Sequence, residues 1–222
     1  MTLQNFQKSR EAMVVSQLQP SGVVSESVMA AYRSVPREMF VPNVLRGVCY
    51  LDDDIDLGEG RILVEPLIFA RMVQDAELLS SDKVLDIGGA TGYSAAIAAK
   101  LAGQVVAVDA DEKLLQQGQA QWQQLGLLNI TPVIGIHNDG YAVGGPYNVI
   151  FVNGAVSAMP QKLLDQLSYG GRLYFVEQKE EDTSGRLTVV IKEQSGVFLT
   201  KYLSDVTTSY LKGFEPSQSF VF

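Results

Sequence analysis

Lys83 to Asp109, KVLDIGGATGYSAAIAAKLAGQVVAVD, carries an apolar run, a glycine-rich turn, an alanine-rich segment and a second apolar run in succession. Val84, Leu85 and Ile87 make the short apolar run of a parallel strand buried on both faces, and the run ends in the turn GGATG. Tyr93 to Leu101 is mostly alanine and isoleucine, which favours a helix slim enough to lie close on a sheet, and Gly103 stands where its C-terminal cap belongs. Gln104 to Val108 is a second apolar strand, with Asp109 at its carboxyl end. Together these pieces form a βαβ unit.

In an open α/β sheet, ligands bind beyond the carboxyl ends of the strands, and a carboxylate one strand over accepts the ribose hydroxyls of a nucleoside. A dinucleotide fits poorly here. Counted from Gly88, the second and third glycines of G-x-G-x-x-G are replaced by Ala90 and Tyr93. The turn instead matches D/E-x-G-x-G-x-G, the pattern of class I S-adenosylmethionine-dependent methyltransferases, at Asp86, Gly88 and Gly92, with Ala90 departing. The competing reading is an ordinary crossover whose glycines serve only the turn.

The 222 residues, 46% of them hydrophobic, supply the core of one α/β domain spanning 1–222. Within it we expect a helical stretch over 1–50, a cofactor-binding core over 51–178 and a hairpin with tail over 179–222. No run of eighteen apolar residues exists, and charged residues interrupt the first dozen positions, so neither a membrane span nor a secretory signal is expected. Cys49 is the sole cysteine, which fits a core residue in a reducing cytoplasm. A net charge of -8 without basic clusters argues against nucleic acid as a partner.

Apolar spacing predicts a helix over Leu3 to Leu18 and a second from Ser25. Pro36 and Pro42 hold the piece between them extended. Asp52, Asp53, Asp54 and Asp56 lack the glycine and glutamate of a calcium loop and read as a solvated turn, so no metal is expected. Leu57 to Glu65 reads as a glycine-containing loop, and Pro66 opens the next helix. After Asp109 we expect a helix over Glu112 to Leu125 and a strand over Thr131 to Ile136. His137-Asn138-Asp139-Gly140 follows, with Asp139 either an adenine acceptor or part of an Asp-Gly turn and His137 structural. A strand over Tyr147 to Val152 ends at Asn153-Gly154-Ala155. A helix then covers Gln161 to Leu167, and a fifth strand covers Arg172 to Val176. Arg186 to Lys192 and Val197 to Tyr202 are too closely connected for a parallel pair and form an antiparallel hairpin. The fold class is therefore a doubly wound, mostly parallel seven-stranded α/β sheet with N-terminal helices and a C-terminal hairpin.

Over roughly residues 10 to 178 the chain resembles the protein-L-isoaspartate (D-aspartate) O-methyltransferase family. The resemblance rests on Val35-Pro36-Arg37-Glu38-Met39-Phe40-Val41-Pro42, on Gly58-x-Gly60, on Val84 to Tyr93, and on Gln166-Leu167-x-x-Gly170-Gly171-Arg172-Leu173. It implies S-adenosylmethionine as cofactor, with its methionine end at Asp86, Gly88, Gly89, Ala90, Gly92 and Tyr93, its ribose at Asp109, and its adenine at Asp139-Gly140. It also implies proteins or peptides with isoaspartyl residues as substrates, a protein-repair role, and a monomer or weak dimer in the cytoplasm.

The departures fall in the loop before the first core strand. Family members usually carry Gln-Thr-Ile-Ser-Gln-Pro there, and this chain has Arg61-Ile62-Leu63-Val64-Glu65-Pro66. Both hydroxyls are lost, at Ile62 and at Val64, the usual serine position. No catalytic residue is therefore assigned, and Arg61 and Glu65 are candidate substrate-loop residues. Arg61 facing the pocket would clamp an acceptor carboxylate and Glu65 facing it would repel one, each by roughly 3 kcal/mol at 6 Å in an effective dielectric of 20. The sequence leaves open which of them does. Three classes of function follow: an isoaspartyl or related carboxylate methyltransferase, a non-catalytic cofactor-binding homologue, and a methyltransferase for a small molecule or nucleic acid. Asn153-Gly154-Ala155 lacks the polar-Pro-Pro-aromatic pattern of base N-methylation.

Overall fold

The computed structural model describes residues 3–216, so the last part of the expected C-terminal tail, 217–222, lies outside the described residues. Helices α1 (Leu3–Met13) and α2 (Glu26–Ser34) are followed by strands β1 (Ile55–Gly58) and β2 (Arg61–Leu63) and by helix α3 (Pro66–Ala76). Then come β3 (Lys83–Ile87), α4 (Tyr93–Ala99), β4 (Gln104–Asp109), α5 (Glu112–Gln124), β5 (Ile130–Ile134) and β6 (Tyr147–Val156). Helix α6 (Gln161–Leu164) leads to β7 (Leu167–Glu177), β8 (Gly185–Lys192) and β9 (Phe198–Val206).

The expected fold class holds. Seven strands lie in the order β5-β4-β3-β6-β7-β8-β9, parallel from β5 to β7, with β8 and β9 antiparallel to their neighbours. Alternate residues of the central strands face two apolar layers. Val84, Val105 and Phe151 pack with α1 to α5, while Leu85, Val106 and Ile150 pack with α6 and with Leu211 and Phe214. The chain winds from β3 toward β5 and then returns to the other side of β3 with β6. This makes the carboxyl ends of β3 and β6 the switch point where such sheets bind ligands.

Five expectations need correction, the last of them at Pro36. Leu57 to Glu65 is not wholly a loop, because β1 and β2 pair within it as an antiparallel hairpin. Strand β6 does not stop at Asn153. Its end is paired by the C-terminal segment, with Ala155 N–H donating to Ser209 O and Leu211 N–H donating to Ala155 O, both at 2.9 Å. Helix α6 is a single turn, and β7 begins at Leu167, since Leu167 already pairs with Tyr147. In the acidic turn, Asp54 is tied down, accepting from Glu65 N–H at 2.8 Å and from the Thr208 hydroxyl at 2.7 Å.

The piece between Pro36 and Pro42 is not extended, because Arg37–Met39 closes into a short 3-10 turn, and Arg37 anchors it. Its buried guanidinium donates to Cys49 O at 2.8 Å and to Val64 O at 2.9 Å, and it lies 4.9 Å from the Tyr93 ring centroid. Gly92, at φ +83°, begins α4 and accepts from the Trp122 indole at 2.8 Å. A Cβ on Gly92 would overlap that indole. Gly92→Ala is therefore expected to lower stability by about 2 kcal/mol or more in urea denaturation, and a loss below about 0.5 kcal/mol would contradict this packing.

Asp86, at the end of β3, is 1% exposed. Its carboxylate accepts from Asn153 of β6 at 2.8 Å and from the Ser94 hydroxyl of α4 at 2.7 Å. Burial pushes the carboxyl up to about 6 against the help of these two donors, and nearby Asp109 adds to the rise. A folded pKa above the unfolded value of about 4 means that the folded chain holds the proton more tightly. Stability is accordingly lost as pH rises from about 4 to 6, and the whole penalty persists above 6. Asp86→Asn should stabilise the chain by roughly 2 kcal/mol at pH 7.5 and by much less at pH 4.5, read as the difference in urea midpoints. A variant advantage that is equal at both pH values, or absent, would contradict the burial penalty.

Candidate active site

Residues at the sheet's switch point come from four separate pieces of chain. The β3–β4 register pairs Ile87 with Val108, which puts Asp109 one residue beyond, against the Gly88 turn. There the Asp109 carboxylate is saturated. Arg61, at the start of β2, donates Nη1 to Oδ1 and Nη2 to Oδ2, both at 2.6 Å. Asp111 N–H donates to Oδ1 at 2.9 Å and Ala90 N–H to Oδ2 at 3.0 Å. His137 Nε2 lies 3.4 Å from Oδ1 and accepts from Ala110 N–H at 3.1 Å. Burial alone would raise the Asp109 pKa, but the hydrogen bonds and charge of Arg61, with the Asp111 N–H, outweigh it and hold the carboxyl well below the usual carboxylate range. Arg61 also donates to Gly88 O at 3.2 Å. Its guanidinium is thus committed to Asp109 and Gly88 O, which decides the direction that the sequence left open.

The glycine turn is equally filled. Gly88 is at φ +70°, and the place of its missing Cβ is 2.5 Å from Leu211 Cδ1, so the C-terminal segment packs directly on the turn. Gly89 leaves room for Asp86 and Ser94, whose oxygens stand 2.5 Å from where its Cβ would be. Ala90 adopts φ +51°, which costs an L-residue about 1 kcal/mol. Ile62, Leu63 and Val64 face Gly89, Tyr93, Ser94 and Asn153 across a cavity of about 10 Å³. That holds no more than about one water. Beside it opens a hollow of about 540 Å³, lined by Glu59, Arg61, Lys212 and the N-terminal turn of α5.

The remaining expected residues are spread more widely. The Tyr93 ring is buried edge-on against Tyr32 and Phe40. Gly140 is at φ +61°, and Asp139 turns its carboxylate outward to Lys162 at 2.6 Å. Burial and the neighbouring Asp52, Asp54 and Asp53 push Glu65 up to about 7. It is only partly charged at neutral pH, so its repulsion of an anion is weaker than the sequence implies. Three residues at the site escaped the sequence reading, Ser94, Asn153 and Leu211, while the sequence reads His137 as structural. Asn153 had a local signal, a polar side chain ending an apolar strand. Leu211 had none.

The family model for "Protein-L-isoaspartate(D-aspartate) O-methyltransferase" matches residues 8–211, extending the resemblance past β7 into the C-terminal segment. A protein-L-isoaspartate O-methyltransferase of Methanoculleus marisnigri is 39% identical over 166 residues, covering 75% of this chain and 76% of the relative. One of Ignicoccus hospitalis is 34% identical over 201 residues, covering 89% and 94%. A solved protein-L-isoaspartate O-methyltransferase superposes with TM-score 0.79 at 26% identity over 92% of this chain, which spans 66% of that one. A candidate isoaspartyl methyltransferase from Plasmodium falciparum, solved with S-adenosyl-L-homocysteine, shares the fold with TM-score 0.74 at 18% identity over 93% of this chain and 98% of its own. No helix among the described residues is long and apolar enough to cross a membrane. With the glycine turn, the strand-end carboxylates and a match running nearly the whole chain, this protein belongs to the protein-L-isoaspartate (D-aspartate) O-methyltransferase family.

Proposed function

We propose that the chain is a cytoplasmic, single-domain O-methyltransferase that uses S-adenosylmethionine to methylate the carboxylate of isoaspartyl residues in proteins or peptides, with low turnover. The observation that carries this reading is the family match over residues 8–211, in which the glycine turn and Asp109 stand at the sheet's switch point. The cofactor, when bound, supplies the methyl group. As arranged, the site does not admit it. Asp109 has no free acceptor position, Leu211 covers Gly88, and about 10 Å³ remain beside Gly89.

The acceptor is a carboxylate with a pKa of about 4, so at neutral pH it is already ionised and needs no general base. What the protein must contribute is alignment in a dry pocket. Ile62 and Val64 contribute apolar walls and no donors, and the Ser94 hydroxyl is already committed to Asp86. This is why we assign low turnover. The replacement of the usual serine and glutamine by Val64 and Glu65 favours a second reading, a cofactor-binding homologue without catalysis.

Initial rates on an isoaspartyl peptide separate these readings. Ile62→Thr combined with Val64→Ser should exceed the native rate by about tenfold or more, because one preorganised donor is commonly worth about a hundredfold. A native rate matching that of the double variant and well above background would show that the hydroxyls are dispensable. Background rates from both chains would favour the non-catalytic reading.

A further inference from the structure

A carboxylate offers about four acceptor positions. On Asp109 two are filled by backbone N–H groups of the Ala90 and Asp111 turns, and two by the guanidinium of Arg61. The backbone donors belong to the turns on either side of the strand end and cannot leave without dismantling them. The guanidinium is different, being carried on a long side chain at the edge of the β1–β2 hairpin. Its withdrawal frees one position on Oδ1 and one on Oδ2, which is the number that the two hydroxyls of a ribose require. We propose that Arg61 is an internal occupant of the ribose position, a latch that an S-adenosyl ligand must displace in order to bind.

The location of Arg61 supports this beyond the ion pair itself. It lines the 540 Å³ hollow, and the three residues after it line the 10 Å³ cavity, so consecutive residues of one short segment reach both spaces. The hydrogen bond from Arg61 to Gly88 O ties the guanidinium to the glycine turn as well. Only arginine makes this closure on both oxygens at once, since lysine presents a point charge and cannot fork across a carboxylate. The hairpin tip just before the latch turns through three successive residues at positive φ, Gly58, Glu59 and Gly60, and the ion pair of Arg61 anchors it to the sheet. The inference rests on the cofactor reading above and adds to it that affinity is set by competition within the chain.

The test is calorimetry with S-adenosyl-L-homocysteine on the native chain and on Arg61→Gln and Arg61→Lys. If only a fraction of the native chain has Asp109 open, the apparent affinity is reduced by that fraction. Arg61→Gln should then bind about tenfold tighter or more, with Arg61→Lys between the two. A measurement on the native chain guards against a variant that folds poorly. Millimolar ligand should increase hydrogen exchange of the amides in residues 55–63, because the hairpin loses its anchor on Asp109. Equal or weaker binding by Arg61→Gln, together with unchanged or greater hairpin protection, overturns the latch but leaves the cofactor reading standing. No binding to any of the three chains, with no change in exchange, overturns both.

Discussion

Two buried carboxylates at the ends of adjacent parallel strands constrain everything around them. Asp86 and Asp109 are each 1% exposed, and an ionised carboxylate cannot be held at that depth without donors. The chain solves the two cases differently. Asp86 receives only neutral donors, Asn153 and Ser94, and is left with a raised pKa. Asp109 receives a forked guanidinium and is firmly ionised. The neutral solution draws β6 and α4 together beneath the glycine turn, and the charged one draws in the β1–β2 hairpin from 48 residues away. The walls of the candidate active site are therefore set by the needs of two acids.

The C-terminal segment completes the closure from the opposite side. Leu211 and Phe214 belong to the apolar layer under the sheet, and the pairing of Ala155 with Ser209 and Leu211 lays that segment along the end of β6. Asp54 joins it to the start of the hairpin through Thr208. One carboxylate thus ties the ends of the hairpin segment to the C-terminal segment beside the switch point.

Much of this was legible in the sequence. Val84 to Asp109 announced a βαβ unit by composition and period alone, and the Gln194-Ser195-Gly196 link required an antiparallel pair for Arg186 to Lys192. Glycine positions were informative because a backbone at positive φ leaves a chemical trace, as at Gly88 and Gly92. The limits of β6 and β7 were not legible, since Gly154 and Gly170 look like terminators and it is long-range pairing that carries the strands past them. The destination of Arg61 was hidden for the same kind of reason. A cation in a substrate loop has several possible partners, and only the folded sheet brings Asp109 within 2.6 Å. Val64 and Ile62, by contrast, could be read directly as lost hydroxyls, and the fold sets both against Gly89 and Asn153.

As a latch, the guanidinium of Arg61 competes with the ribose of an S-adenosyl ligand for one carboxylate. A crystal structure of the native chain grown with millimolar S-adenosyl-L-homocysteine reads that competition at the atoms concerned. Ribose hydroxyls are expected on both oxygens of Asp109, with Arg61 swung out of the site. A bound nucleoside beside an intact Arg61–Asp109 pair would contradict it.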